Sequence, residues 1–378
     1  MTDLLYSEAE SDLRAAVRSL LTDRAGPAEL PARVEDGTPC DPDLWSALAT
    51  GIGAAGLLVP EKLGGQGAGH REAAVVLEEL GRAVTPVPYL TSSVVATETL
   101  LALDAGELRG AGELLGDLAA GRKVAVLAVP FTTGPAADPA VGPVAVADAG
   151  PVPAVADAVL ADVLLVPRPD GLYAVDAADA RIEPRVPLDL TRPLATVTLT
   201  GSGTGAAPGT RIADADTARA AVRRGLLAGA GLLASEQLGV AEWCLEEAVR
   251  HTRERHQFNR PVGSFQALKH RMAQLWLEVA GARAAARNAA DALATGSAEA
   301  PLAVAVAQAY CSRVAVRAAE ECVQLHGGIG MTWEHPAHLY LKRAKADQLA
   351  LGSAGHHKDT LAALVDLRPP VTPEARQR

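Results

Sequence analysis

Residues 253–266 read RERHQFNRPVGSFQ and separate two long stretches of helical pattern. Pro261 and Gly263 stand inside this segment, and both residue types interrupt helices. Ser264 follows directly and is a residue type that caps the N-terminus of a helix. The segment is therefore predicted to be a tight turn, with one long helix ending before it and the next beginning at Ser264.

Two interpretations of the side chains in this turn stay open. Arg255 could donate charge-assisted hydrogen bonds to a diphosphate, with Phe258 and Phe265 offering flat apolar surface beside it. Equally, the segment could be a basic helix end favoured by the helix dipole, with both phenylalanines in the core of a helical bundle. The residues of the turn alone do not separate a ligand site from a structural one.

The helical pattern continues on both sides of the turn. Residues 216–251 contain no proline, and Asp216 is the predicted N-cap of this helix. Further helices are predicted at residues 264–295, 301–326 and 337–349. Alanine dominates their faces, which permits close approach of helices and is typical of an antiparallel bundle.

The rest of the chain divides by composition. Residues 1–121 are predicted to form an N-terminal α-helical domain, and residues 216–378 the helical bundle domain. Residues 122–215 carry short valine- and leucine-rich runs separated by proline and glycine clusters, which is typical of a β-sandwich or barrel. The predicted fold is mainly α with a β middle domain, followed by a C-terminal four-helix bundle.

Within the middle region the predictions are specific. Strands are predicted at residues 124–129, 158–166, 172–175 and 194–199. Residues 134–154 are predicted to be loop with one strand. At the other end of the chain, residues 369–378 are predicted to be a frayed tail.

A second glycine-containing segment, QLHGGIGMT, occupies residues 324–332 at the end of a predicted helix. Its bare backbone at Gly327 and Gly328 would let a ligand come close. The same glycines are also common as C-terminal helix caps. No predicted strand precedes the segment, so a Rossmann dinucleotide site is not indicated.

Composition excludes several classes of protein. The 378-residue chain has a net charge of −10, which disfavours nucleic acid as a partner. Its apolar runs stop well short of the roughly 20 residues of a membrane span, and its acidic beginning is unlike a signal peptide. Four widely spaced cysteines without a Cys-x-x-Cys pair disfavour a disulfide scaffold or a thiolate zinc site. A cytoplasmic protein with no metal and no membrane partner is predicted.

Taken together, the two segments resemble the acyl-CoA dehydrogenase family. The resemblance rests on RHQFNRPVGSFQ at 255–266 and QLHGGIG at 324–330, supported by VPEKLGGQG at 59–67 and LEELGR at 77–82. The order of helical domain, β domain and helical bundle also matches that family. The resemblance implies an FAD-dependent desaturase that acts on a CoA thioester in lipid metabolism and passes electrons to a flavoprotein acceptor.

The resemblance also implies which residues contact the cofactor. In the family, a carboxylate removes the α proton of the thioester, the flavin ring takes a hydride from the β carbon, and a neighbouring subunit holds the adenosine end of FAD. Carried over residue by residue, the implied FAD contacts are Arg255, Gln257, Phe258, Val262, Phe265, Gln266, Gln324, Gly327 and Gly328, with Ser353 retaining a hydroxyl where the family has threonine.

The catalytic carboxylate of the family is missing. Leu351 occupies its usual position before Gly352, and Gly229 occupies the alternative position on the preceding long helix. Neither can take a proton, so no catalytic residue is assigned, although the Leu351 N–H is still expected to be able to point at a thioester oxygen. Glu236 and Asp347 are the nearby acids, and a structural or solvent-facing role is favoured for both.

The segments that hold the flavin ring in the family are also missing between residues 122 and 215, where there is no tryptophan, and the family's Arg-Asp pair is replaced by Lys342-Arg343. The motifs for the adenosine side of FAD are thus kept, whereas the base and the segments that hold the ring are missing. This combination favours a non-catalytic subunit that contributes adenosine-side FAD contacts to a second dehydrogenase subunit in an α2β2 complex. Two alternatives stay open: a homotetrameric flavoenzyme with a displaced base, and an assembly scaffold without enzymatic activity.

Overall fold

Helices, then strands, then longer helices follow one another along the chain. The computed structural model describes residues 4–25, 30–35, 40–103, 108–135, 150–200 and 208–367. The predicted tail at 369–378 and most of the predicted loop at 134–154 lie outside these residues. The predicted fold class is confirmed, whereas the three domain boundaries stay a prediction.

The N-terminal region is helical, as predicted. Its α-helices are α1 (Glu8–Arg24), α2 (Leu30–Glu35), α3 (Pro42–Ser46), α4 (His70–Ala83), α5 (Thr97–Leu101) and α6 (Leu108–Ala119). α1 begins with a capping box, in which Ser7 and Glu10 bond each other's backbone N–H groups. π-helical turns at Ala47–Gly51 and Tyr89–Ala96 continue α3 and lead into α5. α1 packs on α4.

In the described part of the middle region, seven strands form two sheets. They are β1 (Ala125–Leu127), β2 (Val152–Ala156), β3 (Val163–Arg168), β4 (Gly171–Asp176), β5 (Ala180–Arg185), β6 (Leu194–Leu199) and β7 (Thr210–Asp214). One sheet has the order β1-β3-β4-β7 and the other β2-β6-β5. β1 runs parallel to β3, and the remaining neighbours are antiparallel. Buried valines and alanines of both sheets share one core.

The sequence located the apolar strands better than the polar ones. The predicted strand at 158–166 is wrong in its first half, because Ala158–Leu160 forms a 3-10 turn before β3 begins. β5 and β7 escaped prediction, since their alternation is interrupted by charged and half-exposed residues.

The C-terminal region is a bundle built around one very long helix. Its elements are α7 (Ala215–Glu254), a short hairpin of β8 (His256–Gln257) and β9 (Arg260–Pro261), α8 (Gln266–Ala294), α9 (Ala300–His326), α10 (Ala337–Asp347) and α11 (Ala354–Leu364). α7, α8 and α9 pack on one another, and α10 and α11 pack on α9. α11 lies beyond the helices that the sequence predicted.

Two predicted helix caps are wrong by two residues or less. Asp214, not Asp216, caps α7, because its side chain accepts from the Thr217 N–H. α8 begins at Gln266 after Phe265, and Ser264 ends a 3-10 turn instead of capping the helix. Both errors come from neighbouring residues that are equally good caps or turn formers. Within the described residues, no helix is long and apolar enough to cross a membrane.

Glycines set the distance between α4 and α7. A methyl group on Gly239 would overlap the backbone carbonyl oxygen of Glu78, and one on Gly81 would overlap that of Glu236. The two helices therefore touch through their backbones. This contact brings the middle of α7 against the N-terminal region. It also fixes the position of Glu236 relative to α4.

We expect Gly239→Ala to lower the free energy of unfolding by about 2–3 kcal/mol, because α4 and α7 must separate to admit the methyl group. Gly112→Ala is the matched control: Gly112 is also helical, but its nearest neighbour would be 3.9 Å from the new Cβ. The control should gain about 0.5–1 kcal/mol. Urea unfolding of both variants checks this, and equal behaviour would contradict a backbone contact.

Candidate functional site

The two positions where the family carries its base face each other. Gly229 lies in α7, and Leu351 follows α10 with a left-handed backbone (φ 50°). A Cβ on Gly229 would lie 3.1 Å from Leu351 Cδ1 and 2.5 Å from Val95 Cγ2. Leu351 is buried. Around Leu351 Cδ1 and Val95 Cγ2, the two positions are therefore lined by apolar groups.

Backbone hydrogen bonds close the cleft beside Leu351. The Leu351 N–H donates to the Phe131 carbonyl over 2.8 Å, and the Gly352 N–H donates to the Thr132 carbonyl over 3.2 Å. His356 Nε2 lies 3.1 Å from the Pro135 carbonyl oxygen. We call these three contacts the seam. The expectation that the Leu351 N–H can point at a thioester oxygen is wrong in this structure, because Phe131 accepts its hydrogen.

The space left behind the seam is small. A cavity of about 20 Å³ is lined by Thr91, Val95, Val126, Leu127, Val129, Pro130, Phe131, Ala156, Leu226 and Leu351. Ligand pockets are typically about 300–1,000 Å³, whereas a single water needs about 10–15 Å³. Almost all of the lining is apolar. This cavity therefore has room for about one water.

The two nearby acids belong to a buried ion network. Arg192 donates to Glu236 over 2.7 and 2.8 Å and to Asp347 over 2.7 Å. Arg343 bonds Glu236 and Asp189 as well. All five side chains are at most 7% exposed. We call Asp189, Arg192, Glu236, Arg343 and Asp347 the ion network.

Burial and repulsion keep one member of the ion network neutral. Burial, followed by repulsion from Glu236, raises the pKa of Asp347 to about 8, although Arg192 and Arg343 oppose the shift. The network then holds two cations, Arg192 and Arg343, against two anions, Asp189 and Glu236. Glu236 and Asp347 are thus each held by an arginine and buried, which favours a structural role for both.

The FAD contacts implied by the resemblance lie on the opposite, open side. Arg255, Gln257, Phe258, Gln266, Gln324, Gly327 and Gly328 are exposed, and Val262, Phe265 and Ser353 are half-buried. Phe258 is 86% exposed and stands edge-on to Phe265, with ring centres 6.0 Å apart. The alternative that both phenylalanines lie in the bundle core is therefore wrong.

The two motifs meet through the last turns of α7. His251 packs on His326, with ring centres 4.1 Å apart. Gly327 has a left-handed backbone (φ 64°), and a Cβ on either Gly327 or Gly328 would meet no atom within 4 Å. The open backbone at Gly327 follows His326 directly, and the exposed Arg255 follows His251 by about one helical turn. A bare backbone and a guanidinium are both groups that can take a diphosphate.

Ser353 is the exception among the implied contacts. Its hydroxyl accepts from the His356 N–H over 3.2 Å and caps α11, close to the seam rather than to the two motifs. A hydroxyl can accept and donate together, so its role as a cofactor contact stays a prediction.

Sequence reasoning missed Asp189 and Arg192, which join the β region to the bundle. They stand in a polar connection before β6, where no periodicity marks a buried residue. The one available signal was Arg343, the residue at which the chain departs from the family's Arg-Asp pair.

Comparison with known proteins agrees with the layout of fold and site. Residues 7–121 match the acyl-CoA dehydrogenase N-terminal domain, and residues 219–365 match the acyl-CoA dehydrogenase C-terminal domain. The chain is 35% identical to acyl-CoA dehydrogenase IpdE2 of Mycolicibacterium smegmatis over 346 residues, which cover 92% of this chain and 95% of that protein. The chain belongs to the acyl-CoA dehydrogenase family, a family of oxidoreductases, and the predicted resemblance is confirmed.

Two similar solved structures are each named for two proteins. The ChsE4-ChsE5 complex from Mycobacterium tuberculosis gives a TM-score of 0.82 at 28% identity, covering 98% of this chain and all of that one. A variant of the Tcur3481-Tcur3483 steroid ACAD gives 0.81 at 28% identity, covering 95% and 98%. The chain is thus similar to members of heteromeric acyl-CoA dehydrogenases.

We expect Asp347→Asn to remove a pH dependence of stability. Because its pKa is raised, Asp347 keeps a proton in the folded chain that it releases in the unfolded chain above its ordinary pKa. The stability that this proton contributes is complete below about pH 4 and is lost as pH rises through about 8. Asparagine has no proton to lose. From pH 5 to pH 9 the variant should therefore gain at least about 1 kcal/mol relative to the unaltered chain.

Urea unfolding at both pH values measures the difference, with the exposed Asp359→Asn as control. Asp347→Ala should destabilise at both pH values, because Arg192 loses an acceptor. A difference between Asp347→Asn and the unaltered chain that stays constant with pH would show that Asp347 is ionised throughout.

Proposed function

We propose that this chain is the non-catalytic subunit of a heteromeric, FAD-dependent acyl-CoA dehydrogenase. In this role it contributes contacts for the adenosine end of FAD, and a second dehydrogenase subunit contributes the flavin-ring pocket and the base. The observation that carries the proposal is the contrast between the closed seam at Leu351 and the open motif surface at Arg255 and Gly327.

The residues of the adenosine side fit their proposed ligand. Arg255 would pair with the diphosphate, the Gly327-Gly328 backbone would let it approach, and Phe258 would lie against the adenine. Gln257, Gln266 and Gln324 are exposed amides on the same two motifs. When FAD is bound, its ring supplies the hydride acceptor for desaturation of the CoA thioester.

The residues of the ring side do not fit a flavin. The seam ties the β region directly to the segment after α10, and the cavity behind it measures about 20 Å³. A carboxylate is missing at both base positions, and the ion network holds both Glu236 and Asp347. A homotetrameric flavoenzyme with a displaced base is therefore disfavoured, since it would need to open the seam and free a buried acid.

The choice of partner follows from the similar structures. Both named complexes pair two differently named chains, and one is described as a steroid ACAD. We therefore propose an α2β2 assembly in the cytoplasm that acts on a bulky CoA thioester and passes electrons to an acceptor flavoprotein. A pure scaffold is disfavoured, because assembly alone needs no exposed arginine beside an open glycine backbone.

Flavin content tests the proposal directly. Expressed alone, the chain should carry little or no FAD, whereas co-expression with its partner dehydrogenase should give one FAD for each pair of different chains. Flavin absorbance with native mass measures both quantities. One FAD per chain in a homotetramer would refute the shared site, and a flavin content unaffected by this chain would favour the scaffold.

The contribution of Arg255 is tested by one pair of variants. Arg255→Ala should weaken FAD retention in the assembled complex by about 10- to 100-fold, because a charge-assisted phosphate contact is lost. Arg253→Ala is the matched control, an exposed arginine in the last turn of α7 that lies outside the implied contacts. Equal FAD retention in both variants would contradict the assignment of Arg255.

A further inference from the structure

Three histidines and a glutamate meet where α7, α9 and the segment before α10 come together. His326 Nε2 lies 3.3 Å from Glu247 Oε1, and His335 Nε2 lies 3.6 Å from the same oxygen. The His326 ring also packs against the rings of His251 and His335, with ring centres 4.1 and 4.2 Å apart. We call Glu247, His251, His326 and His335 the histidine cluster.

The hydrogen bonds of the cluster determine where its protons sit. His326 Nδ1 lies 2.7 Å from the Cys322 carbonyl oxygen, and its Nε2 faces the Glu247 carboxylate. Both neighbours are acceptors, so both ring nitrogens of His326 donate, which requires an imidazolium. The side chain of His326 is fully buried. The cluster therefore holds an ion pair between the His326 imidazolium and the Glu247 carboxylate, whose pKa the hydrogen bond to His326 lowers to about 2.

The same accounting places protons between the three side chains. Glu247, His326 and His335 offer atoms within 4.8 Å of one another, close enough to surround an ion. However, the Ala337 N–H donates to His335 Nδ1 over 3.2 Å, which leaves the proton of His335 on Nε2. With protons on Nε2 of both histidines, no nitrogen lone pair points at the shared centre.

Neighbouring groups keep the charge on His326 alone. Burial opposes it, but hydrogen bonds to Cys322 and Glu247 raise the pKa of His326 to about 10. Burial and then the charge of His326 lower the pKa of both His251 and His335. The titratable and charged groups around the His326 ring are Cys244, Glu247, Arg250 and His251 on α7, Cys322 on α9, and His335 before α10.

This charge lies at an unfavourable place for an anion. Gly327 and Gly328 follow the C-terminus of the 27-residue α9, where the helix dipole presents about half a negative charge. A diphosphate next to these glycines would be repelled by that helix end. The imidazolium of His326, in the last turn of α9, offsets the repulsion.

The cluster also joins the two motifs mechanically. Glu247 stands two turns before Arg255 on α7, while His326 directly precedes Gly327 on the chain. Arg250 donates to Glu247 Oε2 over 2.9 Å and to Glu254 over 2.7 Å, which orients the carboxylate from the other side. The bond between Glu247 and His326 therefore fixes the glycine backbone relative to the end of α7.

We propose that His326, held by Glu247, is a positioning residue for the diphosphate of the dinucleotide: it holds Gly327 and Gly328 in register with Arg255 and offsets the negative end of α9. This inference rests on the proposed adenosine-side function and deepens it. Neither His326 nor Glu247 needs to touch the ligand.

The test compares ADP-ribose, which carries a diphosphate diester, with adenosine, which carries none. The protein is the full-length chain in its assembled complex, stripped of flavin. At pH 8, Glu247→Gln should weaken ADP-ribose binding about 5- to 10-fold and leave adenosine binding within about twofold, because the bond that holds the glycine backbone to α7 is lost and only the diphosphate meets that backbone. Calorimetry measures both affinities, and unchanged adenosine binding also verifies that the variant is folded.

A pH profile adds a readout that a purely structural role would not move. Without Glu247, the pKa of His326 should fall, so ADP-ribose binding by Glu247→Gln should weaken as pH rises from 6 to 8.5, while the unaltered complex stays nearly constant. Glu254→Gln is the matched control, since Glu254 shares the partner Arg250 but belongs to the exposed end of α7.

The possible results separate the two proposals. Equal loss of adenosine and ADP-ribose binding, or a flat pH profile in Glu247→Gln, would overturn the positioning role. If Arg255→Ala weakens ADP-ribose binding and Glu247→Gln does not, only the role of His326 fails. If neither variant changes ADP-ribose binding, the adenosine-side function fails with it.

Discussion

Two buried arginines join the β region to the helical bundle. Arg192 comes from the connection before β6 and Arg343 from α10, and both bind Glu236 in the middle of α7. An unpaired guanidinium or carboxylate at this depth would cost several kcal/mol, so each group depends on the others being present. The ion network therefore sets how the three elements lie relative to one another.

The seam depends on this arrangement. The Arg192 guanidinium lies over the Phe131 ring, 5.3 Å from its centre, and Phe131 in turn accepts the Leu351 N–H. Asp347, the last residue of α10, stands four residues before Leu351 and is fixed by Arg192. The same arginine thus anchors both sides of the seam. Closure beside Leu351 follows from the charges that replaced the family's usual pair at residues 342 and 343.

The helical framework could be predicted from the sequence because its signals are local. α7, α8 and α9 follow from long stretches with helical spacing, and their ends fall within three residues of the prediction. The residues of the exposed motif surface could also be predicted, since Arg255, Phe258 and the two glycines lie in short contiguous segments. Gly229 and Leu351, at the two positions where the family carries its base, could also be located. Both lie at a fixed number of residues from the motifs.

The parts that could not be predicted depend on contacts between distant segments. Arg192 and Asp347 are 155 residues apart, and no pattern of composition or spacing connects them. The Leu351 N–H was expected to be available because its acceptor, Phe131, belongs to a loop of the β region that carries no motif. His326 likewise looked like one residue of a glycine motif until Glu247, on another helix, gave its ring a second acceptor.

The distribution of charge explains why the two ends of a cofactor would be treated differently by this chain. Near Leu351, the side chains of Asp189, Arg192, Glu236 and Arg343 pair their charges with one another in the buried ion network. Near Gly327, Arg255 stands exposed and an imidazolium lies behind the glycine backbone. An exposed guanidinium is what a diphosphate requires and what a hydride-accepting ring does not. In the proposed function, this chain would hold the anionic middle of a dinucleotide, and another subunit would supply the chemistry at its far end.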